Sequence, residues 1–265
     1  MVALFINLGL KLSSMSQKHP KALPFLFFSE MWERFGYYLM IGIFLLYLKN
    51  VEHGFAMTNS EASDLYGTFI ALVFLTPFIG GLLADRYFGY RRSIIAGGIM
   101  MGIGYCMMAI HSLPMLYLSM ALVIFGNGFF KPNISTLLGN LYSAPEFIHR
   151  KDEGYNIFYM GINVGAFICN FFSAAIIIIW GWKYAFVAAG VGMFLGVIIF
   201  MAGTKHYANG DVRKPMTKED MPFSKIVLTI FIPAIIAGIL GWIIPNNIFG
   251  SDNTDAFIFA CIHII

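Results

Sequence analysis

Long apolar segments joined by short loops are the feature that most limits what this chain can become. A helix needs about 20 mostly apolar residues to cross a bilayer. Six segments meet that length, a seventh follows them, and an eighth begins near Ala256 and reaches Ile265. The seven complete segments are 24–48, 62–84, 93–110, 115–138, 155–179, 184–203 and 226–244.

The composition excludes most soluble classes of protein. Hydrophobic residues make up 58% of the 265 residues and charged residues only 12%, against about 25% charged residues in soluble domains. A soluble enzyme, a disordered chain and a nucleic-acid-binding domain are therefore excluded, and no nucleic-acid partner is expected. Because open strands leave their backbone unsatisfied in lipid, the sequence predicts an all-α, multi-pass membrane protein.

The basic residues predict the orientation. With the N-terminus placed inside, inside segments hold 13 of the 17 Lys and Arg residues and outside loops hold two, while Arg34 and Lys131 lie within spans. Positively charged loops face the cytoplasm, so a cytoplasmic N-terminus is predicted. The apolar residues 2–10 are too short to span. We expect either that translation starts at Met15 or that these residues lie on the membrane surface.

Cysteine and histidine give no sign of metal or redox chemistry. Cys106, Cys169 and Cys261 show no C-x-x-C spacing, and we expect them to be small buried apolar side chains. The six histidines form no i, i+4 pair. No metal site, cofactor or enzymatic nucleophile–base pair is therefore predicted.

The first span carries ionisable residues that a lipid environment penalises. Glu30, Glu33, Arg34, Tyr37 and Tyr38 lie on one side of a helix by their spacing. An ionisable group at bilayer depth costs roughly 3 kcal/mol or more, so these groups must face a polar interior where the carboxylates can pair with the guanidinium. The arrangement favours a substrate and proton site. The alternative is a structural salt-bridge cluster.

The fourth span carries a second cation. Lys131 stands between Asn127 and Ser135 at i−4 and i+4, which predicts one polar stripe. A buried lysine needs a partner, and Glu30 or Glu33 is the natural candidate if the first and fourth helices face one cavity. The alternative is that the Lys131 side chain reaches up to the membrane interface.

Other polar and small residues indicate helix contacts. Asn156, Asn163 and Asn170 repeat every seven residues on the fifth span. We expect Asn163 to line a cavity and the other two to pack between helices. Close helix approach is predicted at three G-x-x-x-G pairs, namely 98/102, 161/165 and 192/196.

A charged loop follows the second span. Asp85, Arg86, Gly89 and Arg91 fall in a predicted short cytoplasmic turn. The turn is typical of the positive-inside rule alone. It also suits a gate, since Asp85 can cap the next helix while the arginines bind the ends of neighbouring helices.

Four motifs in this order resemble a known family. They are E-M-W-E-R-F-G-Y-Y at 30–38, G-G-L-L-A-D-R-Y-F-G-Y-R-R at 80–92, F-F-K-P-N at 129–133 and F-Y-M-G-I-N-V-G at 158–165. The second is similar to the loop motif of the major facilitator superfamily. The others resemble motifs of its proton-dependent oligopeptide transporter family, and the resemblance covers residues 23–203.

The resemblance implies a fold of two six-helix bundles that work by alternating access. It implies proton-driven uptake of di- and tripeptides, in which Arg34 and Lys131 receive the peptide carboxylate. The implied proton-coupling residues are Glu30, Glu33, Arg34 and Lys131. The implied substrate-binding residues are Arg34, Tyr37, Tyr38, Lys131 and Asn163. The implied gate consists of Asp85, Arg86, Gly89 and Arg91.

The same resemblance implies the domain organisation. A cytoplasmic segment (1–23) precedes a six-helix N-terminal bundle (24–203), a basic cytoplasmic linker (204–225) and an extra hairpin (226–265) with one complete and one truncated helix. The C-terminal bundle is missing from the chain, which suggests a fragment of a protein of the bacterial inner membrane.

The missing C-terminal bundle and one departure from the family pattern leave alternatives open. Phe74 stands where family members often place a tyrosine, which removes one hydrogen bond to substrate. The same fold could instead carry another small anion such as nitrate, or a peptide-like metabolite. A non-transporting product, either a truncation or a subunit of a membrane assembly, is the alternative from another class.

Overall fold

The chain folds into a bundle of six long helices. The computed structural model describes residues 19–212 and the single positions 222, 225, 228, 229 and 232. The six predicted spans are confirmed as helices, whereas residues 1–18 and the predicted hairpin 226–265, apart from positions 228, 229 and 232, lie outside the described residues. The helices are α1 (Leu23–Lys49), α2 (Asn59–Leu83), α3 (Tyr90–Met108), α4 (Leu113–Leu141), α5 (Lys151–Trp180) and α6 (Trp182–Ala202).

The chain is a multi-pass membrane protein. Within the described part, four helical stretches are long and apolar enough to cross a membrane, at 59–88, 113–141, 148–180 and 182–202. The other two helices carry charge: α1 holds Glu30, Glu33 and Arg34, and α3 begins with Arg91 and Arg92. These charges lower the mean hydropathy of α1 and α3.

Local sequence explains where several helices begin and end. Thr58 and Glu61 form a capping box at the start of α2, in which the Glu61 amide donates to Thr58 Oγ1 at 3.3 Å. Gly181 separates α5 from α6 with a φ of 91°, and Gly89 precedes α3 with a φ of 79°. Both angles are in the left-handed region that favours glycine.

The helices pack in the order α5, α1, α6, α3, α4, α2. Glycines bring α1 against its two neighbours: a Cβ atom at Gly165 of α5 would collide with the Met31 carbonyl oxygen, and one at Gly196 of α6 would stand 3.0 Å from the Ser29 carbonyl oxygen. This close packing leaves one side of α1 turned away from α5 and α6.

Polar side chains join α2 to α4. Asn127 Nδ2 donates to the Val73 carbonyl at 3.0 Å, and Thr76 Oγ1 donates to the Ile124 carbonyl at 2.8 Å. Asn127 is buried. The amide of Asn127, one turn before Lys131, is thus used to hold α2.

The polar face of α5 is exposed. Asn156, Asn163 and Asn170 are all exposed in the described bundle, and large apolar side chains such as Phe167 and Phe171 are exposed on the same helix. The prediction that Asn156 and Asn170 pack between helices is therefore wrong within this bundle.

The charged loop after α2 is more helical than predicted. Residues Ala84–Phe88 form a π-helical turn that continues α2 directly, and the Gly89 amide closes it by donating to the Ala84 carbonyl at 2.9 Å. Asp85 lies inside this turn and interacts with Tyr90. The Arg91 amide in the first turn of α3 donates to Asp211, and the capping of α3 by Asp85 stays a prediction.

A polar cluster ties together the elements at the end of the bundle where α1 begins. The Tyr142 hydroxyl lies 2.6 Å from His19 Nδ1, and His19 Nε2 lies 3.8 Å from Glu153, which also pairs with Arg150 at 2.6 Å. Burial, and next the charge of Arg150, lower the pKa of His19, while Glu153 opposes the shift. The neutral imidazole therefore shares a hydrogen bond with the Tyr142 hydroxyl, and the tautomer of His19 sets its direction.

The lowered pKa of His19 predicts a pH dependence of stability. The unfolded chain takes up the proton near pH 6.5 while the folded chain resists it, so stability is gained above about pH 6.5 and lost as the pH falls below that value. In thermal melts between pH 5 and 8, we expect His19→Asn to reduce this loss. His149→Asn, at an exposed histidine nearby, is the matched control. Equal pH profiles for wild type and both variants would contradict the assignment.

Candidate functional site

The candidate site is the charged cluster on α1. Glu30, Glu33 and Arg34 are only 2%, 0% and 4% exposed. Three ionisable side chains are thus almost fully enclosed on one helix that spans the membrane. A buried charge is tolerated only when other charges and hydrogen bonds compensate it, so the partners of each group define what the site can do.

Arg34 is the centre of the cluster. Its Nη2 donates to Glu33 Oε1 at 2.6 Å and its Nε donates to Glu33 Oε2, so the guanidinium and the carboxylate form a two-bond pair. Glu30 Oε1 lies 3.5 Å from Arg34 Nε. One guanidinium therefore holds two carboxylates, and Glu33 is the more tightly bound of the two.

Two tyrosines lie against the guanidinium. Arg34 Cζ lies 5.0 Å from the centroid of the Tyr37 ring and 5.9 Å from that of the Tyr38 ring. Tyr37 is buried, whereas Tyr38 is 38% exposed. Cation–π contact of this kind stabilises a guanidinium away from water. Tyr38 is the partly exposed member of the pair and lies between the buried cluster and the surface.

Glu30 differs from Glu33 in one respect. Its Oε2 atom is buried and has no hydrogen-bond partner within the described residues. A buried carboxylate oxygen without a donor is costly. Glu30 therefore offers an acceptor that a proton, a substrate amine or water can satisfy.

Lys131 of α4 lies within electrostatic range of Glu30, Glu33 and Arg34. In residues 19–212 it forms no ion pair with either carboxylate, so the expectation of such a pair is wrong. Its Nζ instead lies 5.3 Å from the centroid of the Phe74 ring on α2. Phe74 is 63% exposed, so the ammonium lies beside an exposed ring of α2.

Tyr105 of α3 belongs to the site and was not predicted. It is fully buried, interacts electrostatically with Arg34 and Glu33, and its hydroxyl has no hydrogen-bond partner among the described residues. A Cβ atom at Gly36 would lie 3.4 Å from the Tyr105 ring. A lone tyrosine in a glycine-rich apolar segment gives little sequence signal, because its partners are on another helix.

The predicted gate residues lie together at the end of the bundle where α1 begins. Asp85 and Arg86 are in the π-helical turn, Gly89 forms the bend after it, and Arg91 starts α3. Arg91 Nε lies 3.9 Å from Asp211 Oδ2. No local pattern predicts Asp211 at this loop.

Comparison with known proteins identifies the family. The model of the POT family matches residues 91–236, which is more than half of the chain. The chain belongs to the POT family. Its four motifs and its six helices are thus those of a POT protein, and POT family members are secondary peptide transporters rather than enzymes.

Two related transporters and one crystal structure show how far the similarity extends. The chain is 36% identical over 227 residues to the uncharacterized transporter YclF of Bacillus subtilis, and 33% identical over 232 residues to dipeptide and tripeptide permease A of Pectobacterium carotovorum. These matches cover 83% and 87% of this chain. A crystal structure of a POT family transporter in complex with a thioalcohol-conjugated peptide superimposes with a TM-score of 0.73 at 31% identity, covering 84% of this chain and 46% of that one.

The relatives are about twice as long as the part of them that this chain matches. The matches cover 46% of the Bacillus subtilis protein and 44% of the Pectobacterium carotovorum protein. The chain therefore spans about half the length of the curated relatives that it matches, and it corresponds to their N-terminal half.

Proposed function

We propose that this chain is the N-terminal bundle of a proton-coupled symporter for di- and tripeptides, and that it works together with a C-terminal six-helix bundle. Below, the two-bundle transporter means this chain joined to such a bundle. The proposal is supported by membership of the POT family, by the conjugated peptide in complex with a related POT transporter and by the geometry of the charged cluster. The observation that carries it is the buried Glu30–Glu33–Arg34 group beside the ammonium of Lys131, which forms no ion pair among the described residues.

The balance of charge in this cluster explains how a proton and a peptide can be coupled. When all four groups are ionised, two carboxylates and two cations sum to zero. A peptide carboxylate would bring one further negative charge into a poorly solvated space, which is unfavourable. A proton on Glu30 restores the balance, because Glu30 has a buried oxygen without a partner. Each peptide carboxylate is thus best accepted together with a proton.

The two cations have different roles. Arg34 already uses Nε and Nη2 on Glu33, so its remaining donors are available for a carboxylate, with the planar geometry that suits one. Lys131 contributes an ammonium that lies 5.3 Å from the centroid of the Phe74 ring. We assign both to the peptide carboxylate, with Tyr37, Tyr38 and Asn163 lining the cavity around the rest of the peptide.

The remaining assignments concern topology and gating. The positive-inside bias supports a cytoplasmic N-terminus in the inner membrane. It places the loop of Asp85, Arg86, Gly89 and Arg91 on the cytoplasmic side, where we assign it to the inner gate. Residues 24–203 form the transporting unit in this proposal, with 1–23 as a cytoplasmic segment, 204–225 as the linker and 226–265 as an extra hairpin.

Uptake into liposomes tests the function. With the two-bundle transporter reconstituted, we expect labelled dialanine to accumulate when the proton gradient is directed inward, and to stop accumulating when an ionophore removes the gradient. Unlabelled dialanine or trialanine should compete and nitrate should not. Competition by nitrate without competition by dialanine would instead support an anion carrier.

The chain without a second bundle is the matched control. We expect the purified 265-residue chain to give no uptake in the same liposomes, because it supplies one side of a cavity that two bundles enclose in this proposal. Uptake by this chain alone would contradict the need for a second bundle. Failure of the two-bundle transporter to carry any solute would favour the non-transporting alternative.

A further inference from the structure

The start of α3 lacks the groups that normally stabilise a helix N-terminus. The N-cap residue is Gly89, which has no side chain, and the first turn contains Arg91 and Arg92 but no acidic residue. Helix N-termini favour an acceptor side chain at the cap and negative charge nearby. An anionic acceptor for the amides of this turn therefore has to come from outside α3.

Asp211 supplies that anion from a position 120 residues further along the chain. The Arg91 amide donates to Asp211 Oδ1 at 3.2 Å, and Arg91 Nε lies 3.9 Å from Asp211 Oδ2. The two side chains are 32% and 21% exposed. Arg91 Nε is itself buried and has no hydrogen-bond partner among the described residues, so the nearby carboxylate provides its compensating charge.

Contacts of the segment after α6 position Asp211 beside Arg91. Tyr207 is fully buried, and its ring stacks on Phe200 with centroids 4.6 Å apart. The Asp211 amide donates to the Tyr207 carbonyl at 3.0 Å. The beginning of the predicted linker is thus packed on the bundle.

A second attachment fixes the same segment to α4. Asn140 Nδ2 donates to the Gly210 carbonyl at 3.0 Å. A Cβ atom at Gly210 would lie 2.7 Å from Leu141 Cγ, so the backbone approaches α4 more closely than another residue would permit. Asn140 also interacts with Tyr90 beside the loop. Asp211 is therefore held between two elements, independently of its contact with Arg91.

We infer that Asp211 is a positioning residue for the loop between α2 and α3, and that residues 203–212 form an anchor that sets the conformation of this loop. The inference rests on the gating role proposed above for that loop. The inference adds that the gate is coupled to the anchor, because Asp211 belongs to the anchor and Arg91 belongs to the gate.

Hydrogen exchange of the loop amides tests the anchor directly. In the two-bundle transporter, we expect Asp211→Ala to speed exchange at residues 90–93 by about 2- to 30-fold, the factor that corresponds to loss of a helix cap. Asp211→Asn, which keeps an acceptor oxygen, should lie nearer the wild type. Asp152→Ala is the matched control, since Asp152 is exposed in the first turn of α5.

Transport by the same variants separates positioning from simple destabilisation. We expect Asp211→Ala to lower the maximal rate of proton-driven uptake while the dissociation constant for dialanine stays within about twofold. Unchanged exchange at residues 90–93, equally faster exchange throughout the bundle, or an unchanged uptake rate would overturn the inference. If the wild type carries no peptide, the proposed function fails and the exchange result alone decides whether Asp211 holds the loop.

Discussion

Replacing Lys131 by alanine is expected to abolish concentrative peptide uptake in the two-bundle transporter without destabilising the bundle. Lys131 forms no ion pair in the described part of the chain, and the contact that the structure gives it is with the exposed ring of Phe74. Removing Lys131 therefore breaks no ion pair with a carboxylate, whereas removing Arg34 would break two. A lost hydrogen bond to a charged group costs about 1.5–3 kcal/mol, so dialanine should bind about 10- to 150-fold more weakly.

The measurement is dialanine binding and uptake alongside a thermal melt of the same preparation. Lys183→Ala is the matched control, since Lys183 is exposed at the start of α6. Lys131→Arg keeps the positive charge and should retain part of the affinity. If Lys131→Ala binds and transports dialanine as the wild type does, Lys131 does not receive the peptide carboxylate.

The helices could be predicted from sequence because their signal is local. An apolar run long enough to cross a bilayer has few alternatives to a helix, and all six runs within the described residues are helical. The i, i+3 and i, i+4 spacings placed Glu30, Glu33 and Arg34 on one face. The structure shows all three buried together. Their shared face could be predicted because helix periodicity alone decides which residues of one helix lie on the same side.

Contacts between helices could not be predicted in the same way. The expected pairing of Lys131 with Glu30 or Glu33 depended on the distance between α1 and α4, which no local pattern encodes. Asn127 bonds to α2, a contact that the sequence does not reveal because two faces of one helix look alike until the neighbouring helices are placed.

The capping of α3 shows the same limit more sharply. Asp85 was expected to cap α3 because it is close in sequence, and the structure places it in the π-helical turn that continues α2. The Arg91 amide of α3 donates to Asp211, which is 120 residues distant. The N-cap glycine has no acceptor side chain and gives no sign of which residue supplies one.

Replacing Glu30 by glutamine is expected to abolish proton-driven accumulation while exchange of dialanine between the two sides of the membrane continues. Glutamine has nearly the shape of glutamate but cannot take up the proton. The Glu30 oxygen Oε2 has no partner in the described residues, so the change breaks no short hydrogen bond and the bundle should remain folded. Comparing uptake under a proton gradient with counterflow at equal pH measures the difference, and Glu52→Gln in an exposed loop is the control.

The same substitution at Glu33 should act on folding first. Glu33 holds Arg34 through two hydrogen bonds at a fully enclosed position, whereas Glu30 Oε1 lies 3.5 Å from Arg34 Nε. Loss of one partner from a buried ion pair costs roughly 3–5 kcal/mol, and the longer contact with Glu30 leaves the Arg34 charge only partly compensated. Glu33→Gln should therefore lower the melting temperature markedly, whereas Glu30→Gln should not. If both variants melted alike and both kept proton-driven accumulation, neither carboxylate would carry the coupling proton. If Glu33→Gln alone lost accumulation while remaining fully stable, the proton would reside on Glu33, and the oxygen without a partner on Glu30 would need another explanation.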